Sequence, residues 1–114
     1  YKIIRVRKRN EVPSVIEETY MPIDLIPGLK LTHVESSIYS YIRNGLHYEI
    51  QSAHVHIRAR GATDFIAGHL QIDPGAPVAV VEQIAFLNNG APFEYSFSTH
   101  KSDLFEFSSV IVKK

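Results

Sequence analysis

Residues 77–99 read PVAVVEQIAFLNNGAPFEYSFST. The first part, to Leu87, is the most apolar stretch of the chain and is rich in β-branched side chains, which suit a pleated surface. Asn88-Asn89-Gly90 follows, and these residues tolerate the positive φ that tight hairpins require. From Pro92 to Thr99 polar and apolar residues alternate, so Glu94, Ser96, Ser98 and His100 share one strand face. The stretch predicts an antiparallel hairpin whose first strand lies at the centre of a sheet.

Outward from this hairpin, other elements fall into place. Upstream, Asp73-Pro74-Gly75 is a turn. Thr63 caps a short helix to about Leu70, with Phe65, Ile66 and Leu70 on its buried side. Residues 48–60 form a long strand: Gln51, Ala53, Val55, Ile57 and Ala59 lie on one face, and Ser52, His54, His56, Arg58 and Arg60 on the other. Ser36 or Ser37 caps a helix to about Asn44, stopped by Gly45. Its apolar stripe is Ile38, Tyr41 and Ile42. Pro22 and Pro27-Gly28 bracket an irregular or 3₁₀ stretch. Residues 1–9 and 14–21 are two strands joined through Asn10-Glu11-Val12-Pro13, and residues 105–112 are a last strand. The order ββ-α-β-α-βββ is an α+β fold with a mostly antiparallel sheet and flanking helices. Asn10-x-x-Pro13 and Asn89-x-x-Pro92 are each followed by an acid, Glu17 and Glu94. This is either shared turn chemistry or a structural repeat.

Composition narrows the function. A chain of 114 residues is one domain, here 1–114. Its apolar runs fall short of the ~20 residues that cross a bilayer, so no membrane partner is expected. With no cysteine, disulfide scaffolds, thiolate metal sites and cysteine nucleophiles are excluded. The chain begins at Tyr1 without a signal-peptide pattern, so a piece of a longer cytoplasmic protein is expected. Net charge is zero, which argues against nucleic-acid binding by this segment alone. The charge is unevenly placed. Lys2, Arg5, Arg7, Lys8 and Arg9 fall in residues 1–9 without an acid, leaving seven bases against twelve acids elsewhere.

The first strand therefore decides the chemistry. Arg5 and Arg7 share a face. They are either solvated edge charges that discourage aggregation or an anion site of bidentate forks. If residues 9 and 13 pair, Arg5 lies opposite Glu17. That pair is a cross-strand ion pair, or part of a site where arginines hold an anion and the carboxylate accepts from hydroxyls. Such a combination suits a phosphorylated or acidic sugar. Ser36-Ser37-Ile38-Tyr39 opens a helix whose free N–H groups suit an anion, though plain capping explains the serines as well. Tyr39 sits one residue off the apolar stripe and faces either a pocket or the core. Glu94, Ser96 and Ser98 are either the solvent side of a strand or the polar wall of a pocket. His54 and His56 lack a third ligand, so no metal site is expected. No phosphate loop, nucleophile elbow or metalloprotease motif is present, and no cofactor is implied.

In order and spacing, Arg5-Val-Arg7, Pro13, Glu17, Tyr20-Met-Pro22, Pro27-Gly28-Leu29, Glu35-Ser-Ser-Ile-Tyr39, Pro74-Gly75-Ala-Pro77-Val78, Val81-Glu82, Gly90-Ala-Pro92-Phe-Glu94-Tyr-Ser96 and Asp103-Leu-Phe105-Glu-Phe107 resemble the UTRA domain. UTRA is the effector-binding domain of HutC-type GntR-family transcription regulators. The resemblance covers nearly the whole chain. It implies a chorismate-lyase-like fold, a ligand pocket on the sheet, a homodimer, and DNA contact only through an N-terminal winged helix-turn-helix domain outside this chain. It also implies ligand-binding roles for Arg5 and Arg7 toward an anion, and for Glu17, Ser37, Tyr39, Glu94 and His100. His100 stands where several members carry tyrosine, and the run from Ser98 to Asp103 is similar to members that sense trehalose 6-phosphate. The expectation is a non-enzymatic sensor for a small anionic effector, a sugar phosphate or organic acid. The alternatives are an acid–base enzyme using Glu94 or Glu17, and a dimerisation module without ligand.

Overall fold

Two hairpins lay down most of the sheet. The computed structural model describes residues 1–113. β1 (Lys2–Arg9) and β2 (Val12–Tyr20) are joined by Asn10 and Glu11, at φ 51° and 65°. Two successive positive φ values match the twist of the flanking strands. β4 (Pro77–Leu87) and β5 (Pro92–Lys101) are joined through Gly90, at φ 85°. The hairpins meet along β2 and β5, and β3 (Ile50–Gly61) pairs with β4, giving the antiparallel order β1-β2-β5-β4-β3. The sheet with its few short helices is α+β.

The middle strand is therefore β5 and not the more apolar β4. Strand apolarity reports how much of both faces is covered. β5 is covered on one face and lines a polar site on the other, so its alternation is compatible with the central position.

α3 (Asp64–Leu70) closes one face, packing Ile66, Ala67 and Leu70 on Ile16, Val78 and Val80. Thr63 Oγ1 accepts from the Ile66 amide and sets the phase of the helix. Phe65, expected on the buried side, is 45 % exposed, and Ala67 takes its place in the stripe. The opposite face is partly covered by the long connection between β2 and β3. It carries α1 (Leu31–Glu35), which the sequence reading did not anticipate, and α2 (Ile38–Ser40), which continues as a π-helical turn over Tyr41–Gly45. Ile38 and Ile42 pack there with Met21, Ile26, Ala85, Leu87 and Phe93. Gly45 closes the turn against Tyr41: a Cβ built on it would lie 2.6 Å from the ring. This second core leaves the stretch of sheet from Arg5 to Ser98 without apolar cover.

Residues 105–112, expected as a strand, pair with no strand among the described residues and run on from the 3₁₀ turn Ser102–Leu104 without regular structure. Their β-propensity is high, but a strand exists only against a partner edge. Among the described residues no helix is long and apolar enough to cross a membrane.

Candidate functional site

The β1–β2 ladder brings the charges together. Arg5 lies opposite Glu17 and Arg7 opposite Val15, with a bulge between Arg7 and Lys8. Arg5 Nη2 donates to Glu17 Oε2 at 3.0 Å, and Arg7 Nε donates to Glu17 Oε1. One carboxylate thus bridges two guanidiniums. Arg5 also reaches the cover, donating from Nη1 to the Val34 carbonyl at 3.4 Å. Its Nε is buried and has no hydrogen-bond partner among the described residues. Holding two like charges on one strand face is unfavourable without an anion between them. Glu17 supplies one negative charge for the two positive ones.

A second polar cluster adjoins the first. Glu94 is 8 % exposed. Its Oε2 accepts from Tyr39 Oη at 3.0 Å, Gln83 Nε2 at 2.8 Å and Ser96 Oγ at 3.3 Å. All three donors use the same oxygen, which leaves Oε1 for a further donor. Burial first, and the Glu94 charge second, push the Tyr39 phenol well above its ordinary range, so Tyr39 stays protonated and donating. Arg43 lies over the Tyr39 ring, 5.6 Å from its centroid.

Two adjoining cavities open on these groups. One, of about 200 Å³, is lined by Arg5, Glu17, Tyr39, Gln83, Glu94 and Ser98. The other, of about 160 Å³, is lined by Arg5, Arg7, Ser36, Ser37, Tyr39 and Glu94. Ser37 caps α2, accepting from the Ser40 amide at 3.1 Å, and its hydroxyl proton stays available. Since α2 is a single turn, its dipole adds little, and the anion chemistry rests on the arginines. A larger cavity of about 230 Å³ lies under α3 on the other face, among Ile66, Val78, Val80 and Phe97, away from this cluster.

The fold therefore gathers Arg5, Arg7, Glu17, Ser37, Tyr39 and Glu94 around one polar space. His100 is on the same face but lines neither cavity. It is half-buried beside Phe105, with ring centroids 5.1 Å apart, and burial lowers its pKa against the opposing pull of Glu17. Gln83 was not anticipated. Its signal was a lone amide inside the most apolar strand, on the face of Val81 and Ala85. The Val34 carbonyl left no signal, because backbone groups look alike in every sequence. Among the described residues no three His, Asp or Glu side chains converge as metal ligands.

The UTRA domain model matches residues 1–106. The chain is 40 % identical over its full length to the HTH-type transcriptional regulator GmuR of Bacillus subtilis, covering 48 % of that protein. The chain thus spans about half the length of the curated relatives it matches. A GntR-family transcriptional regulator from Bacillus cereus superposes with a TM-score of 0.90 at 38 % identity, over 98 % of this chain and 78 % of that one. The effector-binding domain of the Bacillus subtilis trehalose repressor superposes with a TM-score of 0.85 at 29 % identity, over 99 % of this chain and 78 % of that one.

Proposed function

The chain belongs to the UTRA family, and from that premise we propose that it senses a small anionic effector, a sugar phosphate or an organic acid, for a GntR-type transcriptional regulator. The observation that supports this most is the Arg5–Glu17–Arg7 bridge, whose arginines outnumber their carboxylate beside a cavity. The effector's anion sits against Arg5, Arg7 and Ser37. Its hydroxyls donate to Glu94 Oε1 and to Glu17, and Tyr39 is held in place by Glu94. His100 takes no direct contact in this reading and acts on the site only through Glu17. A carbohydrate effector is favoured by likeness to the trehalose repressor's domain. The domain binds without turnover, pairs as a homodimer, and conveys the signal to DNA through a separate domain of the whole protein.

The test is calorimetry with sugar phosphates and their dephosphorylated forms. The phosphorylated member of a pair binds, and Arg7→Ala weakens it about 10- to 100-fold, since a charge-assisted bond is worth ~1.5–3 kcal/mol. Arg7 is 57 % exposed, so the substitution leaves thermal stability nearly unchanged. Equal affinity of the two proteins for every phosphate refutes the assignment.

A further inference from the structure

The face of the sheet turned away from Arg5 and Arg7 holds a second enclosed space. The cavity of about 230 Å³ under α3 has an apolar wall of Ala62, Ile66, Val78, Val80 and Phe97. Phe65 stands at its rim, 45 % exposed, with the His69 ring 4.4 Å away. Core packing leaves that phenylalanine unused, and its ring is available to an occupant. Apolar cavities of ~150 Å³ accept a benzene ring, so this one accommodates a ring with a short chain. Two charged side chains reach the same space, Arg60 and Glu18. Arg58, two residues before Arg60 on the same strand face, is bridged to Glu82 at 3.3 Å. Arg60 has no acid within salt-bridge distance among the described residues. Glu18 lies on β2 and Arg60 on β3, with β5 and β4 between them. Three strand spacings put their backbones at least ~14 Å apart, so the two charges stand at different ends of the cavity.

We propose that the cavity under α3 binds a small monocarboxylic acid with an apolar, ring-sized body, as a second ligand distinct from the anion at Arg5 and Arg7. The body lies against Ile66, Val78, Val80 and Phe97, and the carboxylate meets the Arg60 fork, whose geometry matches it. Glu18 repels a second acid group, which selects one negative charge over two. The two sites are independent, because no residue lines both. Successive side chains of a strand point to opposite faces. Glu18, Val80, Phe97 and Thr99 face α3, whereas Glu17, Val81, Ser96 and Ser98 face the anion site. The cavities thus sit back to back on the same stretches of β2, β4 and β5.

Calorimetry and methyl NMR on the chain test this with phenylacetate, 3-phenylpropionate and 4-phenylbutyrate, with their amides, and with the dianion phenylsuccinate. The monoacids are expected to bind with a Kd of about 0.1–1 mM, in keeping with their size. They should shift the methyl resonances of Ile66, Val78 and Val80 and leave those of Ile38 and Ile42 in place. The amides and phenylsuccinate are expected to bind about fivefold more weakly, since the Arg60 contact is solvent-exposed. Arg60→Gln should bring acid and amide to equal affinity, and Val80→Phe, which fills the cavity, should abolish acid binding. Both variants should keep the phosphate response of the unmodified chain, and Arg7→Ala should keep the acid response. Arg60 is exposed, so its variant carries the test even if Val80→Phe does not fold. Equal acid affinity in the Val80→Phe and unmodified chains overturns the site. Equal affinity of the unmodified chain for acid and amide overturns the ligand class. No methyl shift at about 10 mM acid, ten times the weakest expected Kd, overturns both. Failure of phosphate to bind, with the acid response intact, counts against the anion sensor alone.

Discussion

Glu17→Gln separates a site built for an external anion from a plain ion pair. Gln keeps the shape of Glu17 but leaves Arg5 and Arg7 without a counter-charge. The Arg5–Glu17 bond joins side chains that are 23 % and 19 % exposed. Losing its charge-assisted character costs ~1.5–3 kcal/mol, reduced by partial solvent screening, and the exposed Arg7 adds no more than ~1 kcal/mol. A net loss of ~2 kcal/mol corresponds to a fall in Tm of ~8 °C for a domain of this size. Phosphate is expected to reverse the loss. A phosphate about 5 Å from the Glu17 carboxylate is repelled by ~3 kcal/mol at an effective dielectric of ~20. Allowing half for screening, removal of that charge tightens phosphate binding about tenfold. At saturation this adds ~1.4 kcal/mol, or ~5 °C, to the phosphate-induced rise in Tm of the variant over that of the unmodified chain. Thermal scans across a phosphate series, with chloride at matched ionic strength, measure the difference. Equal shifts in the two proteins refute the reasoning, because the arginines would then be solvated charges that no external anion shares.

Two further outcomes follow from particular contacts. Burial holds the His100 pKa below its ordinary 6.5, so the unfolded chain binds more protons than the folded one between the lowered pKa and 6.5. Stability contributed by neutral His100 is therefore complete above 6.5 and falls as the pH drops toward the lowered value. Urea midpoints at pH 7.5 and 5.5 should show a smaller acid loss in His100→Gln than in the unmodified chain. Gly45→Ala places a methyl group against the Tyr41 ring, which stacks on His33 at 3.9 Å and donates to the Pro27 carbonyl. Overpacking of this kind costs ~1–3 kcal/mol, read as a lower urea midpoint, and Tyr41→Leu in the same chain should recover part of it.

The fold class and the clustering of the charged residues were legible in the sequence, and strand order was not, for physical reasons. The Arg5–Glu17 alignment was predicted from a three-residue loop, yet the loop is two residues, with Arg9 opposite Val12. The bulge between Arg7 and Lys8 takes up the missing residue and restores the register. A charge pattern on one face constrains pairing more tightly than turn length does, since a one-residue slip would turn both arginines away from Glu17. Strand order was less accessible. β4 looked central because it is apolar, but its neighbour β3 has little cover and β5 carries the polar floor. Residues 105–112 show the same difficulty: alternation and propensity describe a strand, and nothing local says whether a sheet edge lies within its reach. α1 was invisible because five residues give too short a periodicity to stand out.

Arg5 joins two parts of the chain 29 residues apart, the strand it grows from and the carbonyl of Val34. It is thus a latch between floor and roof as well as, in the proposed function, a partner for an anion. An anion that draws the guanidinium toward itself competes with that carbonyl, and the stretch carrying α1 is then less firmly held. Thermodynamic reciprocity makes the relation run both ways. Whatever grips or releases the roof in the whole protein must change the affinity for the anion by the same factor by which the anion changes that grip.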